Sequence, residues 1–374
     1  MDQKKVSIRY PRRVVLRFFL RLIGRFLLLV LTRTTVTGRE NFPKKGPVIL
    51  VGNHVAVIEV VLMAMYAPWS VEIIGTGDIP IDPRYAWMVR LWGILPVRRG
   101  SVDRNEMRMP MDVLDQNGAV GIFPEGGIWE TSLKKARTGV AWLSYRTNAP
   151  VLPIGFGGMK GALQAAFQFR RPKLVMNVGK LLPPVNPTGI PGMSRKEALQ
   201  ESANEIMNHV AALIPEDEKR DWRKVEDEHF DFKYVLHYLN DTGDIIDQEE
   251  HTVTYPEALG KFFHRPVILD VMARNMRLPV RPLQRLAVEH DAQKLTNALD
   301  VTLKFLNENP HFLSYRFGYE EAEAMNQGVT ELREITQAAA QAGQQISLRP
   351  IRRYHSPDQT DEVIEEVPAT MHEM

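Results

Sequence analysis

The chain has 374 residues, 44% hydrophobic and 25% charged, ordinary values for a globular protein and enough for two domains. It has no cysteine, which excludes disulfides, thiolate nucleophiles and cysteine-based metal sites. Net charge is +2, but residues 1–50 carry twelve Lys/Arg against Asp2 and Glu40, a net +10, leaving −8 for the rest. Such asymmetry points to an acidic partner surface for the N-terminus, membrane or nucleic acid.

Residues 12–32 form a basic amphipathic stretch in which Arg13, Arg17, Arg21 and Arg25 recur four apart among Phe18, Phe19, Leu22, Ile23, Phe26 and Leu27. Each step of four drifts 40°, so the arginines cover about 120° of a helix. They interrupt any signal-like apolar run, and a spanning helix would bury three of them at roughly 2.5–3.5 kcal/mol each. The expectation is a helix lying flat on a membrane, its arginines on anionic headgroups. The competing reading is a basic helix packed on the protein's own core. Nucleic acid is disfavoured, because Phe and Leu would be left exposed.

In chain order, Pro47 to Gly52 carries an unbroken aliphatic run that predicts a strand buried on both faces, followed by Asn53-His54 and an apolar helix to Tyr66. Further strands are expected at 71–75, 93–97, 119–123, 151–155 and 174–178. Helices are expected at 85–92, 104–117, 134–147 and 195–213. Alternating strands and helices imply an α/β fold, a mostly parallel sheet flanked by helices. After Pro215 the pattern changes. Residues 230–239 alternate before a hairpin-like Asn-Asp-Thr-Gly turn, 255–310 and 318–342 read as helical, and 345–354 as a strand, so a smaller C-terminal α+β domain is expected. Residues 355–374 hold six acids and no Lys/Arg and read as a disordered tail. The expected divisions are 1–34, 35–215, 216–354 and 355–374.

Three strand ends carry chemistry: His54 with Glu59, the pair Arg98 and Arg99, and Pro124-Glu125-Gly126-Gly127. In a parallel sheet such ends share one edge, where ligands gather. Five helical residues turn about 500°, so His54 and Glu59 meet only if His54 lies in the turn before the helix. A histidine takes a proton near neutral pH, and a carboxylate fixes its tautomer. Arginine suits phosphate, and two glycines let backbone N–H groups approach an anion. These groups together fit deprotonation of a hydroxyl on a phosphate-bearing molecule.

These residues resemble the glycerolipid acyltransferases of the lysophosphatidic acid acyltransferase type. That family's Asn-His-x4-Asp motif is matched by Asn53-His54 with Glu59 in the aspartate's place. Its strand-end arginine is matched by Arg98-Arg99, with Arg99 the better counterpart. Its Phe-Pro-Glu-Gly is intact at Phe123 to Gly126, and its proline-bearing strand is matched at Val151 to Ile154. Arg137-Thr138-Gly139 fits a downstream basic residue of the family, and residues 12–32 resemble its membrane-docking helices. Gly127 stands where many members have threonine or serine. The resemblance covers roughly residues 12–215.

The resemblance implies that His54 acts as general base on the free hydroxyl of a lysophospholipid, 1-acylglycerol-3-phosphate foremost. That hydroxyl attacks the thioester of acyl-CoA or acyl-carrier protein. Glu59 orients His54. Arg98, Arg99, Glu125, Gly126, Gly127 and Arg137 bind the acceptor and its phosphate. No cofactor and no metal are implied. Peripheral or monotopic membrane association at the cytoplasmic face is expected. Glutamate is one methylene longer than the motif's aspartate, which leaves open a non-catalytic lipid-binding or scaffold protein that kept the fold. A hydrolase is disfavoured, since neither cysteine nor a Gly-x-Ser-x-Gly elbow is present. Gly155 to Gly161 lacks nucleotide-loop spacing. His229, His237, His251 and His264 lack metal-ligand spacing.

Overall fold

The computed structural model describes residues 7–77, 79–97, 107–125, 136–188, 193–219, 228–277, 286, 289–355 and 362–365. The chain divides into two compact units, Met1–Asp78 with Trp87–Trp222, and Ile79–Ala86 with Arg223–Met374. The division follows Trp222 rather than Pro215, and the second unit also takes eight residues from within the first.

Unit 1 is built on seven strands: β1 (Arg33–Thr37), β2 (Val48–Gly52), β3 (Val71–Thr76), β4 (Leu95–Val97), β5 (Ala119–Ile122), β6 (Val151–Gly157) and β7 (Lys173–Val178). Their order is β1-β7-β6-β2-β5-β3-β4. Every neighbouring pair is parallel except β6 with β7. The aliphatic run Val48 to Val51 sits in the centre, completely buried. Its alternation divides the core. Val48 and Leu50 face a layer with α2 (Ile58–Tyr66) and α6 (Ala162–Phe167). Ile49 and Val51 face a layer with α4 (Arg108–Asp115), α5 (Gly139–Thr147) and α7 (Arg195–Leu213). The strand therefore has no polar face, as a doubly covered parallel strand requires. Helix α7 starts at Ser194, whose capping box with Glu197 satisfies the first orphan N–H groups.

The N-terminal helix α1 (Val14–Leu31) forms, but its arginines point opposite to the sequence expectation. They turn toward two other helices and cap their C-termini, Arg17 buried, Arg21 half-buried, and Arg13 and Arg25 still exposed. Arg25 Nε donates to Met65 O at 2.7 Å, and Arg21 donates to Ala67 O, at the end of α2. Arg13 Nη1 donates to Arg90 O (2.6 Å) and Leu91 O (2.9 Å), and Arg17 donates to Trp92 O, at the end of α3 (Pro83–Trp92). Helix C-termini expose carbonyls with no intrahelical partner and carry partial negative charge, so guanidinium groups suit them. Arg17 is 1% exposed and makes a two-point ion pair with Glu72, at 2.6 and 2.9 Å. Arg12 Nη2 meets the same carboxylate at 2.6 Å. Burial alone would raise the Glu72 pKa, but the bonds from Arg17 and Arg12 overcome this and hold it below the usual carboxylate value. Gly24 lets α1 approach α2, since a Cβ there would lie 2.5 Å from Met65 Sδ.

With the arginines engaged on neighbouring helices, the apolar side of α1 is left exposed. Phe18, Phe26 and Leu29 are 64%, 63% and 70% exposed, and Phe19, Leu22 and Ile23 are exposed beside them. Among the described residues no helix is long and apolar enough to cross a membrane.

Unit 2 holds an antiparallel sheet in the order β11-β10-β8-β9, made of β8 (His229–Leu239), β9 (Ile245–Thr252), β10 (Gln345–His355) and β11 (Glu362–Glu365). Its helices include α8 (Pro256–Phe263), α9 (Pro266–Asn275), α10 (Ala292–Glu308), α11 (His311–Phe317) and α12 (Tyr319–Gln341). Phe232, Phe262, Phe263 and Phe312 are among its fully buried side chains. Segment 79–86 is tied in through Asp82, which accepts from Arg274 Nη1 at 2.6 Å. Residues 362–365, expected in a disordered tail, pair with β10; the rest of that tail lies outside the described residues. His264 Nδ1 lies 2.8 Å from Gly260 O, and His237 Nε2 lies 2.7 Å from Ser347 Oγ.

Candidate active site

The carboxyl ends of β2 and β5, adjacent and parallel, place His54 beside Glu125. α2 begins at Ile58, so His54 lies in the turn before it, where the spacing argument required it. His54 Nδ1 is 2.9 Å from Glu59 Oε1, and the same oxygen accepts the Ala56 N–H at 2.7 Å. An ionised carboxylate only accepts hydrogen bonds, so facing one the imidazole would carry its proton on Nδ1 and its lone pair on Nε2. The Glu59 side chain is fully buried, whereas that of His54 keeps 15% exposure. Glu59 Oε2 is buried without a hydrogen-bond partner among the described residues.

The turn is fixed from three sides. Glu125, 6% exposed, accepts the His54 backbone N–H at 2.8 Å. One of its oxygens is thereby committed to holding the histidine's backbone. Asn53, 4% exposed, acts as an extra rung on β6: its Nδ2 donates to Phe156 O at 3.1 Å and its Oδ1 accepts from Phe156 N–H at 2.8 Å. The Phe123 ring stacks on the imidazole, centroids 4.6 Å apart and planes at 29°. Gly52 makes room for this stack, because a Cβ there would lie 2.6 Å from Phe156 Cε2 and 3.2 Å from Phe123 Cε1. The Arg137 N–H donates to Pro124 O at 3.1 Å, bringing that exposed arginine to the Phe-Pro-Glu turn.

β4 runs parallel to β3 and ends at Val97 on the same sheet edge. Arg98, Arg99, Gly126 and Gly127 lie outside the described residues. Asn53, Phe123 and Gly52 were not singled out by the chemistry of their side chains. Their signal was adjacency to His54 and Glu125, since an amide and a glycine at a strand end often serve the backbone.

The acyltransferase family model matches residues 33–157, from β1 through β6. The 1-acyl-sn-glycerol-3-phosphate acyltransferase of Borreliella burgdorferi is 29% identical over 93 residues, 24% of this chain and 37% of the relative. The chain thus spans little more than a third of that relative's length. The enzyme of the same description from Bacillus subtilis is 19% identical over 171 residues, 46% of this chain and 84% of the relative. A crystal structure of the 1-acyl-sn-glycerophosphate acyltransferase of Thermotoga maritima aligns with a TM-score of 0.40 at 19% identity, covering 58% of this chain and 86% of that one. The motifs of the sequence and the matched family model agree: residues 33–157 match the acyltransferase family and are similar to 1-acyl-sn-glycerol-3-phosphate acyltransferases.

Proposed function

We propose that this acyltransferase moves a fatty acyl group from acyl-CoA or acyl-carrier protein to the free hydroxyl of a lysophospholipid, 1-acylglycerol-3-phosphate foremost. The observation that carries this reading is the His54–Glu59 pair at the end of β2. With Nδ1–H held by Glu59, His54 Nε2 removes the acceptor's hydroxyl proton as its oxygen attacks the thioester carbonyl. The C–O bond forms, the C–S bond breaks, and the proton held by His54 passes to the departing thiolate. Buried Glu59 holds the tautomer and stabilises the imidazolium formed in between. Glu125 positions the turn. Arg98, Arg99, Gly126 and Gly127 supply the phosphate contacts, and Arg137 assists from the same edge. The 2.9 Å contact of Glu59 with the imidazole supports its part in this reading.

The membrane partner enters through α1, but by its apolar side. The arginines hold the helix to the enzyme, and Phe18, Phe19, Leu22, Ile23 and Phe26 enter the lipid, so that the enzyme sits where a lysophospholipid resides. Expression in cells lacking their own lysophosphatidic acid acyltransferase tests the function. Appearance of 1,2-diacylglycerol-3-phosphate supports it; an unchanged lipid profile with the protein present contradicts it.

A further inference from the structure

The turn from α6 into β7 reads Phe167-Gln168-Phe169-Arg170-Arg171-Pro172-Lys173. Phe167 is 66% exposed and Phe169 75%, the highest exposure among the large apolar side chains described. Phe169 has φ 57° and Arg171 φ 48°, left-handed backbone that non-glycine residues seldom adopt. Such strain persists only where surrounding structure over-determines it, and it collects at functional positions. Here the N–H groups of Gln168, Phe169 and Arg170 return to the carbonyls of Gln164, Ala166 and Ala165, at 3.1, 2.9 and 2.9 Å. The aromatic tip is therefore held outward by an ordered turn. These bonds close the C-terminus of α6 and account for the left-handed backbone at Phe169, but not for the aromatic side chains, which are both largely exposed.

The turn also belongs to the face that α1 occupies. Arg171 Nη2 donates to Leu29 O at 3.2 Å and to Thr32 O at 3.4 Å, at the C-terminus of α1. Ala162 of α6 is buried in the core layer that also takes Leu28 of α1 and lies opposite α7. Between Gly161 and Asn177 there is no Asp or Glu, while Arg170, Arg171 and Lys173 are exposed. Aromatic rings beside cations match the layered chemistry of a bilayer surface, where rings sit at headgroup level and arginines meet phosphates.

We propose that the Phe167–Arg171 turn is a second lipid anchor that seats on an anionic phospholipid bilayer beside α1. The proposal rests on the membrane reading of α1 and adds a second point of contact. Two separated contacts fix the tilt of the domain, which one helix lying on the surface leaves free to roll.

The absence of native cysteine allows a direct test with the full chain. Single variants Phe18→Cys, Phe169→Cys and Glu201→Cys are labelled with a nitrobenzoxadiazole probe and mixed with phosphatidylglycerol/phosphatidylcholine vesicles carrying a doxyl-lipid quencher. The probes at 18 and 169 are expected to shift to the blue and be quenched, while that at Glu201, exposed on α7, stays unchanged. In addition, Phe167→Ser/Phe169→Ser should weaken vesicle partitioning about tenfold or more. A response at 18 with none at 169, or unchanged partitioning of the double variant, overturns the second anchor and leaves the membrane reading intact. No response at either position overturns both.

Discussion

His54 and Glu59 are joined through a single carboxylate oxygen that also takes the Ala56 N–H, at 2.9 and 2.7 Å. The Glu59 side chain reaches from the first turn of α2 back to a loop amide and an imidazole at once. The glutamate that stands in place of the motif's aspartate reaches the imidazole at hydrogen-bond distance.

Restoring the aspartate should accordingly harm the enzyme. Glu59→Asp shortens the arm, and a displacement of about 1 Å costs roughly a hundredfold in proton-transfer geometry. We expect kcat to fall about tenfold to a hundredfold with little change in KM for the acyl donor. Glu59→Gln keeps the length but loses the charge that stabilises the imidazolium, so its loss should be larger. Steady-state acyl transfer for the three proteins checks this order; a fully active Glu59→Asp variant would refute it.

Gly52→Ala tests the stack behind the histidine. Its Cβ would press on Phe156, which is buried, and on Phe123, which lies against the imidazole. Overpacking of this kind costs about 1–3 kcal/mol. We expect a lower urea midpoint and a fall in kcat beyond that explained by the unfolded fraction.

Asn53→Ala removes a side chain that serves the Phe156 backbone from both ends. Each buried backbone group left unpaired costs about 1–3 kcal/mol. Denaturant unfolding should show the loss, and Asn53→Asp should recover only the contact with the Phe156 N–H.

Glu72 anchors α1 and gives the fold an acid-sensitive joint. Its folded pKa is depressed, so its contribution is fully present above the unfolded value of about 4.3 and is lost as pH falls through the folded one. Glu72→Gln leaves Arg17 buried against a neutral partner, at a cost of about 3–5 kcal/mol near neutral pH. The variant's stability should then depend less on pH below 5 than that of the parent protein. Urea midpoints from pH 7 to 3 measure both effects.

The sheet and the candidate site were legible in the sequence to different depths. The aliphatic runs at 48–51, 119–122 and 151–154 marked central strands because burial on both faces leaves no room for polar residues. His54 and Glu59 declared their relationship through spacing alone. β1 was missed because Arg-Thr-Thr-Val-Thr is short and half-exposed, and its pairing with β7 is made some 140 residues away. The direction of the α1 arginines was misread for a physical reason. Periodicity tells which residues share a face but not which face meets solvent, and the deciding partners, Glu72 and the ends of α2 and α3, are remote in sequence. The strand at 362–365 was hidden by an acidic composition typical of tails, although Val363 and Ile364 sit in its middle.

The central claim is that His54, held by Glu59, is the base for acyl transfer. The direct measurement is transfer from acyl-CoA to 1-acylglycerol-3-phosphate in vesicles by the full chain and by His54→Ala, with folding of both checked by circular dichroism. Loss of a positioned base should lower kcat by about 10²–10⁴-fold at unchanged fold. Equal rates in the two proteins would contradict the account.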